Sequence, residues 1–194
     1  MDVTNEALLE GLAHSAPVWS HDNHGTSFYR FFLEVHRLSG QADLLPVLVT
    51  EGQQHCIQAG TRVRVRGELR SFNNRSGVGS RLVLTLFARE LPPPTGEDSN
   101  ELQLKGVLCK APVFRRTPLG RSICDLMLAV PRRYGRADYL PVIAWGQLAV
   151  QLRSRTVGDD VTLTGRFQSR GYQKVIEGAV EERVAYEVSM MELG

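Results

Sequence analysis

A chain of 194 residues with 42% hydrophobic and 23% charged side chains is a soluble globular protein, long enough for one ordinary domain or two small ones. It has a net charge of +2 and no apolar run long enough to span a membrane, and Met1 to Glu6 lack the basic start and apolar core of a secretory leader. Three cysteines, Cys56, Cys109 and Cys124, form no CxxC pair and read as reduced thiols in a cytosolic core.

The first elements in chain order are short strands, predicted at Leu8–Ser15, Thr26–Leu38, Ala42–Thr50, Thr61–Arg70 and Arg81–Arg89. Arg62-Val63-Arg64-Val65-Arg66 alternates with period two, the mark of a half-buried strand. His21-Asp22-Asn23-His24 falls in the opening hairpin, next to Trp19, and offers too few ligands for a metal site. Pro92 to Asn100 then reads as a linker, extended where the three prolines lie and flexible where it is polar. Further strands are predicted near 102–110, 121–131, 139–145, 160–168 and 183–192, with helix propensity only in Gln147–Arg155. The paired acids Asp159-Asp160 and Glu181-Glu182 read as solvated turns. The domain organisation expected is 1–91, a linker at 92–101, and 102–194.

Charge divides unevenly along this plan. Residues 1–91 balance nine basic against nine acidic side chains, whereas residues 104–194 carry fourteen against nine. A basic second half suits a partner with a phosphate backbone.

The two halves are copies of one unit. Aligning Gly11–Arg37 with Gly106–Arg132 at a constant offset of 95 makes nine of 27 pairs identical, among them Gly11/Gly106, Ala16/Ala111, Pro17/Pro112 and Arg37/Arg132. The offset persists at Asp43/Asp138, Pro46/Pro141 and Val47/Val142, then becomes 98 at Gly60/Gly158 and Gly67/Gly165. The added residues fall where the second copy has its helical segment and the first has only Glu51 to Ala59.

Several motifs of the second unit occur in a specific order. A glycine-led first strand, Lys105-Gly106-Val107-Leu108, precedes the hairpin Thr117-Pro118-Leu119-Gly120. Leu128-Ala129-Val130 runs into Arg132-Arg133-Tyr134, and Val142 to Ala149 reads VIAWGQLA. Gly158 and Thr164 to Tyr172 follow. In this order the unit resembles the bacterial single-stranded DNA-binding protein family. The resemblance implies an all-β protein of two tandem five-stranded OB-fold barrels, with a short helix between strands three and four of the second. It also implies noncatalytic coating of single-stranded DNA in replication, recombination or repair, in the cytoplasm on the nucleoid. Two barrels per chain imply a homodimer of four.

Carried over motif by motif, the family's base-stacking positions fall on Tyr134, Tyr139, Trp145 and Tyr172, all aromatic here. Arg115, Arg116, Arg132, Arg133, Arg136, Arg170 and Lys174 flank them as expected phosphate contacts. Aromatic faces stack bases without regard to sequence, and Arg and Lys release counterions from phosphates. No catalytic motif, cofactor motif or metal-ligand cluster is evident, so no enzyme activity, cofactor or metal is expected. The family's acidic tail with its Pro-Phe tip has no counterpart after Met190-Met191-Glu192-Leu193-Gly194, so tail-mediated recruitment of repair proteins is not expected.

The first unit has Ser39, Leu44 and Thr50 where the second has Tyr134, Tyr139 and Trp145. Its aromatics gather instead at Phe28, Tyr29, Phe31 and Phe32, read here as core or interface, so the unit is expected to be a degenerate barrel. Its strip Leu44, Pro46, Leu48 needs cover, a reason for dimerisation. An alternative reading is a primosome-type restart or assembly adaptor whose barrels mainly bind protein. RNA is open as a ligand as well, because stacking alone does not choose the sugar.

Overall fold

The structure, a computed structural model, describes residues 4–77 and 81–194; Met1 to Val3, part of the segment read for a leader, lie outside them. The described residues resolve into two compact units, 4–70 with 85–103, and 71–77 and 81–84 with 104–194. The first carries β1 (Asn5–Ala13), β2 (Val18–Asn23), β3 (Thr26–His36), β4 (Ala42–Thr50), the one-turn helix α1 (Glu51–Gln54) and most of β5 (Arg62–Asn73) and β6 (Leu82–Glu90), whose residues 71–73 and 82–84 fall in the second. Its strands run β2-β3-β4-β6-β5-β1, and β1 returns to β3, so five of the six close a barrel. β4 and β6 pair in parallel, with Val47 opposite Leu86.

The second unit repeats this plan. Its elements are β7 (Ser99–Leu108), β8 (Val113–Arg116), β9 (Ser122–Pro131), β10 (Ala137–Trp145), α2 (Gln147–Leu152), β11 (Asp160–Ile176) and β12 (Ala179–Leu193). The order is β7-β11-β12-β10-β9-β8, closed by β7 on β9, with β10 and β12 parallel at Val142 and Val188. Both are OB barrels, as expected. Strand alternation fills them: Phe31, Leu33 and Val35 on β3, and Leu140, Val142 and Ala144 on β10, point inward and are buried.

The repeated residues explain themselves in this frame. A Cβ on Gly11 would run into the carbonyl of Glu34, and one on Gly106 would meet that of Ala129 at 2.8 Å, so the first strand of each barrel needs glycine where it crosses its neighbour. Arg37 holds Asp43 with two parallel bonds of 2.8 Å, and Arg132 grips Asp138 in the same forked way. Both carboxylates are buried. The identical Ala-Pro pairs interrupt the opening strand, since proline has no N–H to give the ladder, and the chain resumes as β2 or β8.

Four local expectations change. The strands β2 and β8 add to those expected; β2 is exposed along its whole length and carries no burial period to betray it. The β11–β12 hairpin runs beyond the expected ends to a two-residue turn at Glu177 (φ 51) and Gly178 (φ 80), so Glu181 and Glu182 are strand residues, not a turn. The first unit also has its turn of helix, closed by a 2.9 Å bond from the Thr50 N–H to Gln53 Oε1. Of the thiols, only Cys124 is buried; Cys109 is half-buried and Cys56 exposed.

The polar part of the linker is pinned to the first barrel. Fully buried Glu10 accepts bonds from the Thr95 N–H and hydroxyl at 2.9 and 2.8 Å, and from the Gly96 N–H at 2.8 Å. Asp98 accepts from the His36 N–H and from Arg62, each at 2.9 Å. Burial pushes both carboxyls up. The bonds from Thr95 and Gly96 to Glu10, and those from His36 and Arg62 to Asp98, outweigh it and hold both below their ordinary values.

Candidate nucleic-acid interface

Register places the second barrel's outward side chains on one sheet face. Across β9 and β10, Ile123 stands opposite Trp145, Asp125 opposite Ile143, Met127 opposite Pro141 and Ala129 opposite Tyr139. β8 adds Arg115 beside Ile123, and β12 meets β10 with Ser189 beside Ile143. Gln168 and Arg170 on β11 complete the face opposite Glu187 and Ala185. Inward-pointing neighbours on every strand fill the core; on the outward face Ile123, Ile143, Gln168, Glu187 and Ser189 are themselves buried, and what the face exposes is Arg115, Tyr139 and Arg170, with Trp145 partly open.

The four aromatics occupy distinct settings. Tyr139 is half exposed, its N–H bonded to Ser71 Oγ at 2.7 Å. Trp145 lies partly buried on the same face, with the guanidinium of Arg121 4.9 Å from its ring centre. Six residues of strand put these two side chains about 20 Å apart, too far to share one base. Tyr134 is 98% exposed at the tip of the β9–β10 connection. Tyr172 is half-buried in a hollow of the β11–β12 arm formed with Gln173, Glu182 and Arg183. Arg170 approaches its ring at 5.9 Å, and Arg183 hydrogen-bonds it.

The β9–β10 connection is shaped by backbone. Tyr134 (φ 63) and Gly135 (φ 71) are both left-handed, and the Arg132 N–H closes the turn onto the Arg136 carbonyl at 2.7 Å. Glycine accepts this conformation freely, whereas a tyrosine adopts it at a cost of about 1–2 kcal/mol. The turn rests on the Arg132–Asp138 pair, whose carboxylate also accepts the Ser71 N–H at 2.8 Å.

The basic residues divide into two groups. Arg132 is engaged by buried Asp138, Arg115 by Asp125 at 2.8 Å, and Arg170 by Glu187 at 3.4 Å. The hydrogen bond to Asp125 raises the Arg115 pKa, with the charges of Asp125 and Glu187 adding to it. Arg116, Arg133 and Arg136 are exposed and make no ion pair among the described residues. Lys174 is exposed on the arm, directly across from Glu181. Arg121, left out of the phosphate set inferred from sequence, sits on Trp145; its position one residue before β9, on the hairpin that holds Arg115 and Arg116, was the available signal.

Closed five-stranded barrels of this strand order, with aromatics and guanidiniums on the outer face, define an OB-fold binding module. Residues 99–193 match the Single-strand binding protein family, and this barrel belongs to that family. Among solved structures, the wild-type single-stranded DNA binding protein from Thermus aquaticus aligns at 22% identity with a TM-score of 0.78, over 98% of this chain and 91% of that one. A deletion variant of the same protein aligns at 22% identity and 0.77, over 98% and 93%. The N-terminal domain of PriB protein from Thermoanaerobacter tencongensis, described as dimeric, aligns at 35% identity with a TM-score of 0.39, over 46% of this chain and 98% of that one. No curated protein sequence matches the chain significantly. No helix among the described residues is long and apolar enough to cross a membrane.

Proposed function

We propose that the protein binds and coats single-stranded DNA without catalysis, through the outer face and loops of its second barrel. The observation that carries this is Tyr134, an almost fully exposed aromatic held in a left-handed turn between Arg133 and Arg136, which make no ion pair among the described residues. Burial gains nothing from such a residue, whereas a base that stacks on it does. Trp145, Tyr139 and Tyr172 offer further bases a surface, and Arg116, Arg133, Arg136 and Lys174 meet phosphates. Arg115, Arg132 and Arg170 orient the face through their carboxylates. We place this activity in replication, recombination or repair, with two chains pairing to present four barrels.

The test is a titration of the full chain with labelled oligothymidine, the matching duplex and the matching RNA across a salt series. Single strands are expected to bind far more tightly than duplex, because paired bases cannot offer their faces to tyrosine and tryptophan. Equal affinity for duplex and single strand overturns the reading. No binding at low salt leaves the protein-binding adaptor as the better account.

A further inference from the structure

The aromatic surface of the second barrel begins at an open strand edge. β12 meets β10 at Val142 and Ile143, so the first residues of β10 lie short of that pairing. Among them are Asp138, fully buried, and Tyr139, whose ring belongs to the proposed site. Polar main-chain groups at such an edge need partners from elsewhere, because one left unpaired in a buried place is costly.

Ser71 supplies them with all three of its hydrogen-bonding groups. Its Oγ accepts the Tyr139 N–H at 2.7 Å, its N–H donates to Asp138 Oδ1 at 2.8 Å, and its carbonyl accepts from the Arg132 guanidinium at 3.4 Å. Ser71 is only 9% exposed. It comes from β5, a strand of the first copy of the repeat that enters the second unit at this residue. Its strand is held firmly just before it. The side-chain amide of buried Asn5 donates to the Leu69 carbonyl at 2.8 Å and accepts the Leu69 N–H at 3.0 Å.

The three partners of Ser71 all lie beneath the aromatics. Tyr139 carries one ring itself. Asp138 grips Arg132, and the Arg132 N–H closes the turn that exposes Tyr134. We propose that Ser71 is a positioning residue of the second barrel's binding site, holding Tyr139 directly and Tyr134 through Asp138 and Arg132. The site is thus completed by a residue of the other copy. Serine suits the place, because its hydroxyl can accept from one main-chain N–H while its own N–H reaches the preceding side chain. A ring whose backbone is already fixed loses less freedom when a base stacks on it. Ser71 therefore strengthens binding without touching the strand.

The inference rests on the reading that the second barrel binds single strands, and the experiment separates the two. Full-length protein is compared as the unaltered chain, Ser71→Ala, Ser71→Cys and Ser71→Thr, with folding checked by circular dichroism. Cysteine keeps the size of serine but its sulfur is a weak acceptor, so it carries the comparison if the alanine variant does not fold. Threonine keeps the acceptor. Each is titrated by anisotropy with labelled oligothymidine of about 30 nucleotides, alone and in Tyr139→Leu and Trp145→Leu backgrounds. Ser71→Ala and Ser71→Cys are expected to weaken binding about tenfold, the measure of one buried hydrogen bond, and Ser71→Thr to restore it. The tenfold loss should persist in the Trp145→Leu background, at the other end of β10, and shrink to about threefold or less in the Tyr139→Leu background, where the two changes share one effect. Hydrogen exchange at the Tyr139 amide should quicken in the alanine and cysteine variants and not in the threonine one. Unchanged affinity in both the alanine and cysteine variants overturns the inference and leaves the proposed function standing. Equal losses in the two backgrounds also overturn it, because Ser71 then supports the fold at large. An unaltered chain that binds no single strand overturns the proposed function and the inference together.

Discussion

The two barrels share their strand order, their crossing glycines and a forked arginine–aspartate pair, yet they dress the same outer face differently. The second sets Tyr139 and Trp145 on β10 and exposes Tyr134 on a strained turn between β9 and β10. The first has Leu44 and Thr50 at the matching places and carries its rings on the flanking strands. Inward positions are fixed by volume, since a barrel interior tolerates little change in packing. Outward positions answer only to what they touch, so an aromatic there can be lost from one strand and gained on the next without disturbing the fold.

The pair common to both barrels should give the largest effect. Asp43→Ala or Asp138→Ala strands an arginine and removes a buried acceptor, and each is expected to cost about 3–5 kcal/mol of stability in urea unfolding. A loss below about 1 kcal/mol at either site would show that the common framework does not depend on the pair. Next come the rings of the second barrel. Trp145→Ala and Tyr139→Ala should each weaken single-strand binding by about 1–3 kcal/mol, with little change at their counterparts Thr50→Ala and Leu44→Ala. Comparable losses at Thr50 would erase the contrast between the β4 and β10 faces.

Smaller effects sharpen the contrast among cations. Arg133→Ala, Arg136→Ala and Lys174→Ala should each flatten the salt dependence by about 0.7 in slope, the increment for one released counterion on a single strand. Arg132→Ala should lower the melting temperature instead, as Asp138 loses its partner. An unchanged melting temperature with a flatter slope would return Arg132 to the phosphate contacts. Last is acid. Glu10 and Asp98 are held below their ordinary values of 4.5 and 3.8. Their contribution is therefore complete above those values and is lost as pH falls through the lowered folded values. Thermal melts of the chain should fall more steeply with acidification than those of Glu10→Gln with Asp98→Asn, and parallel curves would show that the linker contacts do not couple to folding.

What the sequence revealed of this arrangement followed from repetition and period. The offset of 95 located Gly11/Gly106, Arg37/Arg132 and Asp43/Asp138 before their crowding and pairing were visible, and the alternation of Arg62 to Arg66 located the half-buried β5. The rest had no local signal. β2 and the end of the β11–β12 arm lie exposed, so no burial period marks them. Arg132 looked like its neighbours Arg133 and Arg136, and only the fold brings Asp138 under it. The Phe28 group read as core because Phe31 alone sets the inward phase, and which of its neighbours lie on the outer face depends on the register with β4 and β6. The grip of Glu10 on Thr95 and Gly96 joins residues 85 and 86 positions apart in sequence.

The arginine–aspartate pair also bears on how two copies of one unit drift apart. Duplicated halves accept change one residue at a time, and a single replacement at Asp43, Asp138 or their arginines passes through a chain that buries an unmatched charge. Only a double exchange avoids that state, and double exchanges are rare. The pair therefore works as a ratchet on divergence. Faces, loops and arms can wander after duplication, while this contact stays in both halves and keeps their common origin readable.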